Sequence, residues 1–263
     1  MNRIDNKFNE LKSRGRKAFI AYVTAGDPDL AVTKKIVLQL EASGVDILEL
    51  GIPFSDPIAD GPTIQAASYR ALAGKATLKK IFAMVRGLRF TTDMPLVFMT
   101  YYNPVLRYGL KEFFASCRKC GVDGVIVPDL PCEEAADLIK FARLEKVATI
   151  FLSSPTSTPE RIKDIARNSK GFIYYVSLTG VTGARRELPD DIASKVREIR
   201  SVTDKPVAVG FGVSSPKQAA WIARVSDGVI VGSAIVEIIG EKKSIVPRVY
   251  RFAKSIAKAV HGA

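Results

Sequence analysis

The chain has 263 residues, of which 47% are hydrophobic and 25% are charged; this composition is typical of a globular protein and excludes a low-complexity chain. No apolar run approaches the roughly 18 residues of a membrane span, and the N-terminal residues lack the apolar segment of a secretory signal. The net charge of +12 is spread over many segments, which favours solvated helix faces over a nucleic-acid surface. We therefore expect a cytoplasmic protein with neither membrane nor nucleic acid as its partner.

Short segments rich in Val, Ile and Phe recur along the chain and alternate with longer amphipathic segments. Their nearly continuous apolar character is typical of parallel strands that are covered by helices. The predicted strands are Ala18–Val23, Ile47–Leu50, Leu96–Tyr101, Gly124–Val127, Ala148–Leu152, Phe172–Ser177, Val207–Gly210 and Gly228–Val231.

The segments between the strands carry apolar residues at helical spacing. Several begin with a hydroxyl residue before a first-turn proline, as at Thr158 and Pro159, which is a typical helix start. An extra helix is predicted around Phe8–Leu11, where it would cap the bottom of the fold. The other predicted helices are Leu30–Ser43, Thr77–Leu88, Glu133–Leu144, Pro159–Ala166, Pro189–Arg200, Pro216–Arg224, Ala234–Ile239 and Val246–Val260.

The number of β–α units, about eight, predicts the fold class: α/β, a (β/α)8 TIM barrel with an extra N-terminal helix. Residues 1–263 would form a single domain. The alternative is a doubly wound open sheet. The barrel is favoured because no GxGxxG motif opens the first unit and because the glycine clusters come late in the chain.

The cysteines include a CxxC pair, Cys117 and Cys120, which has the form of a redox or zinc motif. A structural zinc site needs four ligands, but there is no second pair and His261 is the only histidine. The pair lies in a predicted helix with Phe113 and Phe114, where a spacing of three places both cysteines on one buried side. We expect the pair to pack in the core, and we expect no metal site.

A carboxylate interrupts the apolar second strand. Glu49 lies near its end, and Asp60 lies in the loop that follows. Burying an unpaired carboxylate is unfavourable or raises its pKa. Because active sites of such barrels are built at the C-terminal ends of the strands, both groups would face the barrel mouth, where a raised pKa suits proton transfer. The pair indicates acid–base catalysis; the alternative is a structural acid paired with Arg or a hydroxyl group.

Glycine clusters follow the sixth, seventh and eighth predicted strands, at residues 180–183, 211–212 and 232–234. Backbone N–H groups free of side-chain bulk, together with a helix N-terminus, bind phosphate. The clusters therefore predict a phosphate site, with simple tight turns as the alternative. The clusters include Gly183, Gly212, Gly232 and Ser233.

Large apolar side chains at or near the strand ends indicate a pocket for a flat group tethered to a phosphorylated chain. No lysine lies in a predicted strand and no Ser-His-Asp set is present, which argues against Schiff-base and triad mechanisms. Proton transfer by carboxylates remains. The residues predicted to contact the substrate are Tyr22, Phe98, Tyr101, Ile126, Tyr174 and Phe211.

The segment from Glu49 to Gln65, ELGIPFSDPIADGPTIQ, resembles the signature of the tryptophan synthase α subunit family. The resemblance runs essentially end to end. Further matching segments are Val23–Pro28, Tyr101–Pro104, Val127–Pro131, Gly180–Arg185, Val209–Gly212 and Asp227–Ser233.

This resemblance implies a retro-aldol cleavage of indole-3-glycerol phosphate to indole and glyceraldehyde 3-phosphate. It implies that Glu49 is the general acid–base and that Asp60 stabilises positive charge on the indole N–H. The family's active-site tyrosine matches Tyr174, and its phosphate-binding loops match Gly183, Gly212, Gly232 and Ser233. Thr182 would meet Asp60 when two mobile loops, residues 53–60 and 179–188, close over the substrate.

The same resemblance implies an αββα complex. The tryptophan synthase β subunit would carry pyridoxal phosphate and receive the indole through an internal tunnel, so this chain would need no cofactor of its own. Pro53 and Asp56 would face the partner.

Three other functions stay open at this point. The chain could be an activator subunit of the β partner with little lyase activity, although Glu49 and Asp60 are intact. A phosphate-binding barrel isomerase would want its acid–base pair on different strands, which the spacing of these two residues disfavours. Nucleic-acid binding through the charge of +12 predicts weak, non-specific and salt-sensitive retention on DNA.

Overall fold

The strands form a closed parallel barrel. The computed structural model describes residues 2–177, 191–210 and 212–263. The described strands are β1 Ala18–Thr24, β2 Ile47–Gly51, β3 Leu96–Met99, β4 Gly124–Ile126, β5 Ala148–Ile150, β6 Leu152–Ser153, β7 Ile173–Val176, β8 Val207–Gly210 and β9 Gly228–Val231. They follow the order β5-β4-β3-β2-β1-β9-β8-β7-β6, and each neighbouring pair is parallel.

The fifth barrel strand is divided in two at Phe151. Its first part, β5, pairs with β4, and its second part, β6, pairs with β7. The interrupted strand thereby closes the ring of eight. The predicted (β/α)8 barrel is confirmed and the open doubly wound sheet is wrong.

Helices surround the barrel, and none of those described is long and apolar enough to cross a membrane. Two of them, at Pro62–Ala73 and Tyr102–Tyr108, are not among the predicted helices. The described α-helices are α1 Arg3–Ser13, α2 Leu30–Ala42, α3 Pro62–Ala73, α4 Leu78–Leu88, α5 Tyr102–Tyr108, α6 Leu110–Cys120, α7 Ala136–Leu144, α8 Pro159–Asn168, α9 Asp191–Arg200, α10 Pro216–Val225, α11 Ser233–Gly240 and α12 Ile245–His261.

The N-terminal helix α1 closes the bottom of the barrel. Its apolar side chains Ile4, Phe8 and Leu11 pack with the inward-facing strand residues, and the Phe8 ring lies 5.8 Å from that of Phe172. Gly124 at the start of β4 makes room for it, since a Cβ there would lie 2.9 Å from Ile4 Cδ1. The predicted capping helix is thus present, and it leaves the opposite end of the barrel as the mouth.

Aspartates tie neighbouring strands together at the bottom of the barrel. Asp46, Asp123 and Asp227 immediately precede β2, β4 and β9. Each carboxylate accepts the N–H of a residue on the adjacent strand, at 2.8 to 3.0 Å. Asp123 and Asp227 also pair with arginine guanidinium groups at 2.7 Å, and Asp46 contacts the His261 ring at 2.8 Å. The bottom of the barrel is therefore held by charged hydrogen bonds that play no part at the mouth.

The cysteine pair belongs to the layer between the barrel and its helices. Cys117 and Cys120 lie on α6, are free thiols and pack in the large hydrophobic cluster. The packing role predicted from their spacing is confirmed.

Candidate active site

Glu49 lies inside the barrel near the C-terminal end of β2. Parallel pairing places it between Tyr22 of β1 and Val97 of β3. It is 1% exposed, and its Oε1 atom has no hydrogen-bond partner among the described residues. Because burial disfavours the charged form, the pKa of Glu49 is raised to about 8. The side chain therefore holds its proton at neutral pH.

Asp60 lies in the loop between β2 and α3. Burial raises its pKa to about 6, and a hydrogen bond from the Tyr101 hydroxyl opposes the rise. The same hydroxyl accepts the Ala59 N–H at 3.0 Å, and the Tyr101 ring lies 5.3 Å from that of Phe54. Tyr101 thus holds the loop and its carboxylate over the mouth. At neutral pH, Asp60 is mostly ionised while Glu49 is mostly neutral.

Two tyrosine rings lie over glycines on neighbouring strands. Tyr22 covers Gly51, and Tyr174 covers Gly210. In each case the glycine lies two residues beyond the tyrosine's partner in the register, so the two arrangements repeat on different sides of the barrel. A side chain at either glycine would displace the ring, so both tyrosines depend on these glycines for their place near the mouth.

The N-terminus of α11 also lies at the mouth. Gly232 is its N-cap residue, and within the described chain no side chain caps the free N–H groups. A Cβ at Gly232 would lie 3.3 Å from Tyr22 Cβ, which places this helix start beside the Tyr22 ring. Uncapped N–H groups and the positive end of a helix dipole suit a phosphate group.

A family model described as the tryptophan synthase alpha chain matches residues 8–261. The chain belongs to the tryptophan synthase alpha chain family. It is 52% identical over 237 residues to the alpha chain of Citrifermentans bemidjiense, a match that covers 90% of this chain and 89% of that one. It is 45% identical over 264 residues to the alpha chain of Pelobacter propionicus, with 100% and 99% covered.

The solved structures agree with this assignment. Tryptophan synthase subunit alpha from Legionella pneumophila superposes with a TM-score of 0.92 at 37% identity, over 99% of this chain and 98% of that one. The family resemblance predicted from the sequence is confirmed. As a tryptophan synthase alpha chain, the protein is a lyase of tryptophan biosynthesis that acts at the cleavage of indole-3-glycerol phosphate.

One predicted substrate contact of this alpha chain is wrong. Phe98 points out of the barrel, with its ring 5.4 Å from that of Phe82 on α4. The two neighbours of Phe98 on β3, Val97 and Met99, face the interior. Met99 packs against the small cluster that contains Tyr22, and it faces the interior where Phe98 does not, because side chains alternate along a strand.

The other predicted residues lie in the barrel interior, at the strand ends, in the loop after β2 or outside the described residues. Ile126 is fully buried among the interior side chains, and Gly212 follows β8 with a φ of +35°. In the loop after β2, Pro53 is buried while Asp56 is exposed; the loop also exposes the large apolar side chain of Ile58, at 83%. Thr182, Gly183 and Phe211, and the loop at 179–188, lie outside the described residues.

Proposed function

We propose that this chain cleaves indole-3-glycerol phosphate by acid–base catalysis with Glu49 and Asp60. The observation that carries the proposal is a pair of carboxyl groups at one barrel mouth whose pKa values are raised to different levels, to about 8 and about 6. A pair of titratable groups with separated pKa values is typical of sites that need an acid and an anion together.

The neutral Glu49 side chain is the proton donor. It protonates C3 of the indole ring, which turns the ring into a leaving group with positive charge on its nitrogen. The C–C bond then breaks and its electron pair returns to the ring. As the aldehyde forms, the hydroxyl on the carbon next to the ring loses its proton to the Glu49 carboxylate. The donor is restored, so neither a metal nor a cofactor enters the proton balance.

The ionised Asp60 stabilises the positive charge that develops at the indole N–H. A fixed anion in a poorly solvated mouth acts more strongly than one in water. Tyr22, Tyr174 and Met99 supply apolar surface for the ring, and the N-terminus of α11 with Gly232 and Ser233 receives the phosphate. Gly183 and Gly212 complete the proposed phosphate site.

The indole passes to a tryptophan synthase β subunit, which holds the pyridoxal phosphate of the αββα complex. The name of the family supports a β partner. Exposed Asp56 and Ile58, on the loop that also carries Asp60, support a contact near the mouth. In this proposal, residues 1–263 form a single domain and the protein acts in the cytoplasm.

The test is Glu49→Gln. The amide fills the same space but cannot donate and regain the proton, so indole release should fall by about a hundredfold or more. Substrate binding should persist, because the ring and phosphate contacts remain. Glu198→Gln on the outer helix α9 is the matched control and should retain full turnover. A Glu49→Gln chain that releases indole at the control rate removes Glu49 from the mechanism.

The activator function is decided in the same experiment. Indole release is measured for the isolated chain and for its complex with the β subunit. A chain that accelerates the β reaction but releases no indole in either form is an activator, and the lyase proposal fails.

A further inference from the structure

A bidentate ion pair joins the β1–α2 loop to α3 behind the mouth. Arg70 Nε and Nη2 donate to Asp27 Oδ1 and Oδ2 at 2.8 and 2.7 Å. Asp27 is 1% exposed, so its carboxylate is shielded from water and pairs with Arg70 instead. The loop packs against α3 nearby, since a Cβ at Gly26 would lie 3.4 Å from Ala71 Cβ of that helix. A buried fork of this kind fixes both position and orientation.

The same helix carries the acid loop. The helix α3 begins at Pro62, two residues after Asp60. In its first turn Gln65 Nε2 donates to the Asp60 carbonyl oxygen at 2.7 Å. The backbone of Asp60 is therefore attached directly to the N-terminal end of the helix that Arg70 anchors.

The helix α11, whose N-terminus receives the phosphate in the proposed function, also contacts Arg70. Gly240 ends α11, and a Cβ there would lie 3.2 Å from Arg70 Nη2, so the missing side chain makes room for the guanidinium group. Farther along, Thr63 Oγ1 donates to Glu237 Oε1 at 3.4 Å. Ala67 of α3, Val236 of α11 and Tyr22 pack in one small cluster. The two helices are thus in contact along their length.

We propose that Arg70 is a positioning residue that fixes the distance between Asp60 and the phosphate-binding end of α11. Its guanidinium group contacts the β1–α2 loop through Asp27 and lies against Gly240, while its own helix leads into the acid loop. A substrate held by phosphate at one end needs its indole N–H placed at Asp60, so the spacing decides whether both ends bind at once. This inference rests on the proposed function.

The test separates the whole substrate from one of its parts. Arg70→Gln should raise KM for indole-3-glycerol phosphate and lower kcat, for a loss of about tenfold or more in kcat/KM. Glycerol 3-phosphate reaches only the phosphate end, so its dissociation constant, measured by calorimetry, should stay within about twofold of wild type. Arg70→Lys keeps the positive charge but not the bidentate hydrogen bonds. Its kcat/KM should therefore lie between those of wild type and Arg70→Gln.

Gly240→Ala is a second variant that removes no charge and suits a helix. Its methyl group pushes the guanidinium group, so it should raise KM for the whole substrate by about threefold with an unchanged dissociation constant for glycerol 3-phosphate. Gly87→Ala on α4, where a Cβ meets nothing within 4 Å, is the matched control and should match wild type.

The outcomes are distinct. If Arg70→Gln folds and cleaves the substrate at the wild-type kcat/KM, or weakens glycerol 3-phosphate as much as the whole substrate, Arg70 does not position the two ends. If Arg70→Gln does not fold, Gly240→Ala decides alone, and a KM equal to that of Gly87→Ala overturns the inference. A wild-type chain that releases no indole contradicts the proposed function instead.

Discussion

Two carboxyl groups of similar intrinsic acidity differ here because of their surroundings. Glu49 is enclosed by strands and its Oε1 has no partner in the described chain, so desolvation alone raises its pKa. Asp60 is only partly buried and receives a hydrogen bond from Tyr101. Desolvation favours the neutral form and hydrogen bonding to the carboxylate favours the charged form, which is why one group stores a proton and the other a charge.

The pH dependence of cleavage should follow from these two groups. Ionisation of Asp60 should raise kcat/KM as the pH passes about 6, and loss of the Glu49 proton should lower it as the pH passes about 8. Initial rates measured from pH 5 to 10 should therefore give a bell, because kcat/KM reports the free enzyme. A rate that keeps rising above pH 9 contradicts a protonated Glu49.

The substitution Tyr101→Phe tests whether Asp60 is responsible for the acidic limb of the pH profile of kcat/KM. The substrate's phosphate also titrates near pH 6, so the limb alone does not identify Asp60. Removing the Tyr101 hydroxyl takes away a hydrogen bond that lowers the Asp60 pKa, and the limb should move to higher pH. A limb that stays in place in Tyr101→Phe belongs to the substrate.

Among the strands, β3 shows that the sequence of a fully buried strand does not indicate which of its sides faces the barrel interior. Leu96, Val97 and Phe98 are all apolar and all buried, since the strand has the barrel core on one side and helices on the other. Such strands carry no alternation of polar and apolar residues. The inward and outward sides were therefore not distinguishable by periodicity, and Phe98 was assigned to the wrong one.

Adjacent substitutions on β3 should give opposite results. Phe98→Leu should lower the free energy of unfolding by about 1 kcal/mol and leave KM unchanged, because Phe98 packs on Phe82. Met99→Ala should raise KM for indole-3-glycerol phosphate by about fivefold, because Met99 faces the interior and packs against the cluster that contains Tyr22. Urea unfolding and initial rates measure the two effects, and a raised KM in Phe98→Leu contradicts its outward orientation.

The helix α3 was missed for a related reason. Much of the surface it buries comes from Ala67, Ser68 and Ala71, which are small and give little contrast between its two sides. Small residues allow close approach to β1 and α11, and this closeness is what places Arg70 against Gly240. The feature that makes the helix useful to the site is the one that weakens its sequence signal.

In the molecule as a whole, the residues that stabilise the fold and those proposed for catalysis lie at opposite ends of the barrel. The bottom carries paired aspartates, α1 and the contact between His261 and Asp46. The mouth carries Glu49 without a partner for Oε1 in the described residues. The carboxylates that hold strands together have hydrogen-bond partners, whereas the group proposed to move a proton has an oxygen without one, in keeping with barrels that stabilise the fold at one end and carry the active site at the other.

Asp123→Ala tests this division. The Asp123 carboxylate accepts Arg89 Nη2 at 2.7 Å and Arg3 Nη1 at 3.1 Å. Removing it leaves the largely buried Arg89 without its counter-ion and should lower the free energy of unfolding by about 3 kcal/mol. The kcat/KM of the folded protein should stay within about twofold of wild type. A large loss of kcat/KM with unchanged stability would show that the bottom of the barrel acts on the site.

The sequence by itself determined the β–α alternation, the C-terminal strand ends and the place of Glu49 and Asp60 on them. These features follow from apolar runs, helix starts and glycines, which act over a few neighbouring residues. The sequence also identified the family, through motifs that run the length of the chain.

Only the tertiary structure decided which side of β3 faces the mouth, that Tyr101 holds the acid loop, and that Arg70 pairs with Asp27. It also decided that His261, near the end of α12, binds Asp46 at the start of β2. These contacts join residues far apart in the chain and depend on how whole elements pack, so no local pattern encodes them. Which residue pairs with a buried charged group depends on which elements pack around that group in the folded barrel.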